Sequence, residues 1–357
     1  MSISADLTEE LAAQVRHAGT SGTPLEIIGN ATKRFYGRAA SGEPLATTGH
    51  CGIVSYEPSE LVLTARCGTP LAEITARLAE HGQMLAFDPP CFAGEATLGG
   101  AIATGLAGPR RPFAGSVRDM VLGMRIINGR GEVLQFGGQV MKNVAGYDIS
   151  RLMVGALGTL GVILDVSLKL LPAPQAEQTL TVDEPAARIY ELTEQWLRAG
   201  IPVSAAAHGG KRMVVRLAGA ASAVELGCRR IGGQDLEAAG KFWCDLRDHR
   251  LPFFSRHGAM PLWRIALPAG MPRPNLDGAW ISDWAGRQIW LRTNMDPARV
   301  REEAQRLGGH ATLFRGGDRT GDVFQPLAAP LLHLHRRLKL AFDPGGILNP
   351  RRLYARL

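Results

Sequence analysis

Glu95-Ala96-Thr97-Leu98-Gly99-Gly100-Ala101-Ile102-Ala103-Thr104-Gly105 is the stretch on which the fold turns. Between Thr97 and Gly105 only Leu98 and Ile102 are larger than threonine. Each glycine in a regular element costs about 0.5–1 kcal/mol against alanine. That cost is tolerated where a large flat ligand lies against bare main chain, or where a helix must press closely on a sheet. On these residues alone both readings stand. The run lies inside a longer glycine- and alanine-rich segment, 88–108, that carries few charges.

Two further stretches share this character. Ile28-Gly29-Asn30-Ala31-Thr32-Lys33-Arg34-Phe35-Tyr36-Gly37 runs from an apolar strand into a turn of small residues. Consecutive main-chain N–H groups in such a turn form an anion-binding nest, and Lys33 and Arg34 add positive charge. It is neither a Walker loop nor a Rossmann GxGxxG, and a plain strand-to-loop turn reads equally well. Gly155-Ala156-Leu157-Gly158-Thr159-Leu160-Gly161-Val162-Ile163 precedes a strand, whereas a dinucleotide fingerprint follows one and opens a helix. This argues against NAD on a Rossmann fold.

Around these stretches the pattern is mixed. Leu7, Leu11, Ala12 and Val15 predict a helix over Asp6–Ala18, and Leu25–Ile28 a short strand. Strands are expected over Gly52–Tyr56 and Leu61–Arg66, with a turn at Glu57–Glu60. A helix over Leu71–His81 should carry Thr69 as N-cap and Pro70 at its first position. Met120–Asn128 and Glu132–Phe136 predict a hairpin, and Gly161–Leu171 a strand closed by Pro172 and Pro174. Polar Gln175–Gln178 then marks a boundary. Beyond it, helical patterns at Glu184–Ala199, Ala220–Ile231 and Pro297–Leu307 alternate with strands near Val203–Ala207, Met213–Leu217, Trp263–Leu267 and Gln288–Arg292. A last helix is expected over Leu331–Ala341.

The 357 residues suit two domains, and 45% hydrophobic content supports a sizeable core. A formal charge of +7 admits nucleic acid, an anionic surface, an acidic subunit or an anionic cofactor. No nucleic-acid module accompanies the charge, and 6% aromatic content offers few stacking platforms, so no nucleic acid is expected. Five widely spaced cysteines without a CxxC give no zinc or iron–sulfur ligand set. A polar N-terminus and the lack of any long apolar run lead us to expect a soluble, cytosolic protein with at most peripheral membrane contact.

The order of segments resembles the FAD-binding domain of the vanillyl-alcohol-oxidase-type (PCMH-type) flavoproteins, and among them the FAD-binding subunits of glycolate oxidase (glycolate dehydrogenase). The resemblance is carried by Ala65–Leu71, Asp88-Pro89-Pro90, Ala96–Gly100, Gly108–Pro112, Gly115–Asp119, Met141–Asp148, Gly158–Val162 and Asp343–Pro350. It implies an α+β fold: a two-subdomain PCMH-type FAD-binding domain over 1–174, and a smaller α+β cap domain with an antiparallel sheet over 175–325. Residues 326–357 would return to the FAD-binding domain.

The resemblance also implies a map for FAD. Gly29, Asn30, Ala31, Thr32 and Lys33 would hold the pyrophosphate, although many relatives have a run of glycines here, and Asn30 is expected to tolerate the left-handed conformation. Thr97, Gly99, Gly100, Ala103 and Thr104 would lie along the flavin and its phosphate linker. Ser116 and Val117 would contact the ribityl or adenine half, and Gly161, Val162 and Ile163 the adenine. Pro89 and Gly158 belong to the same set, and Asn349 would reach the isoalloxazine. No histidine lies between Gly29 and Arg38, so covalent attachment through that loop is not expected.

Oxidising a 2-hydroxy acid needs a base and a cation for the carboxylate. Catalytic relatives commonly provide a HxGDGN-like metal segment, which this chain lacks, so no metal is expected. His310 and Arg315 are the candidates for base and cation, although a solvated or packing His310 is the blander alternative. His333 and His335, two apart in a helical pattern, do not face each other. The implied role is a flavin-carrying, electron-transferring subunit. It would work beside a catalytic flavoprotein subunit and an iron–sulfur subunit that together oxidise a small 2-hydroxy acid. A stand-alone dehydrogenase and a scaffold without flavin are the rival readings.

Overall fold

The computed structural model describes residues 4–92, 94–138, 147–256 and 258–357. The motif segment 141–146 thus lies outside the described residues. The chain divides into two compact units, one of residues 1–106, 116–173 and 319–357, the other of 107–115 and 174–318.

The first unit is built on a five-stranded antiparallel sheet. Its order is Ile53–Glu57, Val62–Arg66, Val162–Lys169, Val121–Ile127, Val133–Gly137. The predicted hairpin across Gly129–Gly131 forms its far edge. Val162–Lys169 is central and buried along seven of its eight residues, polar Asp165 and Ser167 among them. Leu25–Ile28 pairs in parallel with Glu43–Ala46 in a separate two-stranded sheet, and the helix Thr8–Ser21 inserts Leu11, Ala12, Val15 and Ala18 against Leu25, Leu45, Val162 and Leu164.

One local expectation, the cap of a helix, is corrected here. Thr69 does not cap the helix Leu71–Ala79, whose N-cap is Pro70. Its hydroxyl instead accepts from Gly52 N at 2.9 Å and reaches Gly52 O at 3.2 Å, bracing the turn before the edge strand. Gly99 and Gly100 lie inside a helix, Leu98–Thr104, capped by Thr97, whose hydroxyl accepts from Gly100 N. A Cβ on Gly99 would stand 2.7 Å from the Cβ of Cys67, so that glycine lets the helix press on the sheet.

The C-terminal segment is locked to this unit by a buried knot. Lys339 Nζ donates to Thr159 O and Leu348 O, each at 2.8 Å, and to Asp343 Oδ2 at 2.6 Å. Asp343 in turn accepts from Ile347 N and Leu348 N. Burial pulls the Lys339 pKa below its ordinary value, against the opposing pull of Asp343.

The second unit carries an eight-stranded antiparallel sheet. Its order is Gln234–Asp235, Ala176–Val182, Met213–Gly219, Val203–His208, Ala279–Asp283, Gln288–Arg292, Leu262–Ala266, His310–Arg315. Polar Gln175–Gln178, read as a boundary, lies where the second unit resumes and runs into the strand Ala176–Val182, whose alternation serves a half-exposed ladder. The Gly108–Pro112 motif belongs here. Trp284 Nε1 donates to Gly108 O at 3.0 Å, Arg110 pairs with Glu177 at 3.0 Å, and the Arg111 guanidinium lies 4.4 Å from the Trp284 ring centroid.

Candidate functional site

The first unit holds an open cleft with a cavity volume of about 110 Å³. Of the residues expected to bind FAD, Gly29, Asn30, Ala31, Thr32, Lys33, Thr97, Gly100, Ala103, Thr104, Gly158 and Asn349 line it. Three local features bring these distant segments together. The strand Leu25–Ile28 delivers the Gly29–Lys33 turn, the helix Leu98–Thr104 forms a wall, and the turn at Leu157-Gly158 closes the end. Leu157 N donates to Ala103 O at 2.8 Å, which fixes that turn to the helix.

In the Gly29–Lys33 turn the left-handed residue is Ala31, at φ 54°, and not Asn30. Asn30 uses its side-chain amide to hold Glu95 O at 2.7 Å, tying the turn to the segment before the helix. The main-chain N–H groups of Gly29, Asn30, Ala31 and Thr32 have no partner among the described residues. A turn with a left-handed residue and successive unspent N–H groups is the geometry of an anion nest. Gly29 is required for a different reason: a Cβ there would stand 2.6 Å from Thr97 Oγ1. Lys33 is buried, with Nζ 3.3 Å from Thr32 Oγ1 and 5.9 Å from the Phe92 ring centroid.

Asn349 ties the cleft together. Its Oδ1 accepts from Ile27 N at 2.8 Å and its Nδ2 donates to Leu157 O at 2.7 Å, so it clamps two walls of the cleft. Asn349 itself and Leu157 both sit at positive φ, 40° and 52°. Gly158 at φ 71° could carry no side chain, because its Cβ would lie 2.7 Å from Asn349 Nδ2.

Other expected residues do not line this cleft. Val117 and Val162 are fully buried core residues, and Ile163 is buried beside them. Ser116 forms a capping box with Asp119. Gly161 makes room for Ile126, and Pro89 is buried next to Asp88, which holds φ 44°. Four cleft residues lie outside the stretches read as candidate binding segments: Glu26, Ile27, Ala40 and Arg352. Arg352 donates to the carbonyl of Arg34 at 2.6 Å and to that of Arg38, while Arg34 pairs with Glu26 at 2.7 Å. The two Arg352 bonds brace the turn across more than 300 residues of chain, a distance no local pattern reports.

Phosphates on this turn, with a flat ring system along the bare helix wall, fit an elongated flavin dinucleotide. Among the described residues no histidine or cysteine lines the cleft. Cys67, nearest below the helix, is fully buried, and burial pushes its thiol up to about 12, which leaves it unreactive.

His310 and Arg315 stand in the second unit, on the edge strand His310–Arg315. The register sets His310 opposite Ala266, Thr312 opposite Arg264, and Arg264 opposite Trp290, while Arg292 and Arg315 both oppose Leu262. By the two-residue alternation of strands these polar groups share one face, and Trp263, Ile265, Ile289, Leu291 and Leu313 take the other. Burial, followed by the charges of Arg315, Arg292 and Arg264, holds the His249 pKa well below that of ordinary imidazole. His249 stacks on Phe254 at 4.0 Å. The His310 pKa is lowered by partial desolvation and by Arg264 and Arg111. Among the described residues no cluster of His, Cys, Asp and Glu could hold a metal.

Comparison with known proteins agrees with this geometry. The FAD binding domain family matches residues 3–137. The crystal structure of p-cresol methylhydroxylase with substrate bound superposes with a TM-score of 0.73 at 17% identity, over 99% of this chain and 89% of that one. The fold is thus of the PCMH type, and the family match over its first part is to an FAD binding domain. At the level of sequence, the glycolate oxidase subunit GlcE of Escherichia coli (strain K12) is 46% identical over 352 residues, 99% of each chain. The chain belongs to the family of that subunit. More distant relatives are the glycolate oxidase subunit GlcD of Bacillus subtilis (strain 168), 24% identical over 85% of this chain and 77% of that one, and a D-lactate dehydrogenase of Anaerostipes hadrus, 31% identical over 50% of this chain and 38% of that one.

Proposed function

We propose that this chain is the FAD-carrying subunit of a glycolate-type 2-hydroxy-acid dehydrogenase complex. It passes electrons through a non-covalently held flavin, beside a catalytic flavoprotein subunit and an iron–sulfur subunit. The observation that carries the reading is the Gly29–Thr32 turn. Four unspent N–H groups and a buried lysine face a cleft, in a chain that matches a glycolate oxidase subunit along its whole length. Bound FAD supplies the two-electron acceptor; the chain's own residues bind and orient it. The turn would meet the pyrophosphate, Thr97, Gly100, Ala103 and Thr104 would lie along the flavin and its linker, and Asn349 would hold the cleft open by joining Ile27 to Leu157. Ser116, Val117, Gly161, Val162, Ile163, Gly99 and Pro89 shape the frame from within the core and its turns.

A second reading, a chain that itself oxidises the hydroxy acid, is favoured by one observation. Arg264, Arg292 and Arg315 share a face of the second unit with His310. A carboxylate placed there would relieve the mutual repulsion that, after burial, lowers the Arg315 pKa. His310 would then be the base and Arg315 the carboxylate holder.

Anaerobic addition of glycolate to the purified flavin-loaded chain separates the two. Under the first reading the flavin stays oxidised with the chain alone and is bleached once the partner subunits are present. Bleaching by glycolate without partners would favour the second reading.

A further inference from the structure

The helix Ala329–Phe342 is poorly covered by the rest of the chain. Lys339 is its buried residue, whereas Leu331, Leu334 and Leu340 are 51%, 48% and 64% exposed. The helix contains no acidic residue. Arg336, Arg337, Arg351 and Arg356 form no ion pair with a carboxylate among the described residues. Elsewhere arginines such as Arg34, Arg110 and Arg306 are matched by Glu26, Glu177 and Glu303. A surface groove beside the helix joins Arg336 and Leu340 to Pro350, Arg351 and Arg356. Exposed leucines and unmatched cations therefore occupy one region of the surface.

Around the helix, Leu331 and Leu334 lie on one flank, and Leu340 lies about 120° from Leu334, with His333 and Arg337 between them. A membrane-surface helix needs its apolar residues contiguous and its cations at the margins. Lowering these leucines into acyl chains would drag His333 and Arg337 with them. A second copy of the chain would set cation against cation. A protein surface with apolar pockets and a carboxylate ridge between them satisfies both kinds of group.

We propose that this helix face docks another subunit of the oxidase complex, one that presents an apolar groove rimmed by carboxylates. The inference rests on the reading that the chain works in such a complex.

The test uses the full-length, flavin-loaded chain with the catalytic flavoprotein and iron–sulfur subunits of the same source. Association is followed by light scattering for the wild type, R336E/R337E and L334S/L340S. All four side chains are exposed, so flavin content and melting temperature should stay at wild-type values and verify the fold. The expected result is association at least tenfold weaker in each variant, and wild-type association that weakens as salt is raised. Variants that assemble as the wild type does would overturn the docking face and leave the functional reading intact. A wild-type chain that binds neither subunit would overturn the functional reading and this occupant with it. Wild-type binding to phosphatidylglycerol vesicles, or self-association, that is lost in the variants would overturn the proposal in favour of that occupant.

Discussion

Ala31 holds a backbone conformation that glycine adopts freely and alanine does not, at a cost of about 1–2 kcal/mol. Replacing Ala31 with glycine should therefore raise the melting temperature by a few degrees and keep flavin binding, as differential scanning calorimetry and flavin content will report. Gly29 has the opposite sensitivity. With a Cβ only 2.6 Å from Thr97 Oγ1, Gly29→Val should displace the helix cap or the turn, and cut flavin occupancy after gel filtration by tenfold or more. Asn349→Ala removes two main-chain bonds and leaves their partners bare, costing about 2–3 kcal/mol in urea unfolding. The small-residue character of these positions was readable from sequence; which of them takes the strained angle was not. Asn30 is the better left-handed former, but its amide is more useful holding Glu95, and that preference shows only when the two segments meet.

Among the elements, the glycine-rich stretch shows how far local pattern reaches. Its poverty of side chains signals close approach: Gly99 stands against Cys67 on one side of the helix, and Gly100 lines the cleft. Helix propensity could not foretell that element, because two adjacent glycines disfavour it and only packing on the sheet offsets the cost. The strands Ala176–Val182, Ala279–Asp283 and His310–Arg315 went unread for a related reason, since their ladders supply the stability that their polar faces hide. The Lys339–Asp343 knot makes a test at this scale. Lys339→Met leaves a buried carboxylate without its cation and should cost about 3–5 kcal/mol, measured by denaturant unfolding. In the second unit, Arg306 first, then the Asn275 main chain, holds the Glu303 pKa down to about 2, from 4.5. A carboxylate depressed on folding binds fewer protons than in the unfolded chain, so its stabilisation is whole above about pH 4.5 and drains as pH falls towards 2. Glu303→Gln should flatten that limb of the acid unfolding curve.

For the molecule as a whole, the sequence carried the two-part α+β plan and the PCMH-type resemblance, because ordered motifs survive where lengths and surfaces drift. The arrangement that makes the cleft was out of reach, since Ile27, Leu157 and Asn349 are joined across as many as 322 residues. No helix among the described residues is long and apolar enough to cross a membrane. If the cleft is the flavin site, ligand binding to the folded state alone should stabilise the chain by about 2.7 kcal/mol at a hundredfold excess over the dissociation constant. Titration of the flavin-free chain with FAD, followed by flavin absorbance and fluorescence after gel filtration, tests this most directly. The account predicts saturation at one FAD per chain, released intact on denaturation, and loss of binding in Gly29→Val. A chain that emerges colourless from excess FAD, or a Gly29→Val variant that binds it as well as the wild type does, would contradict it.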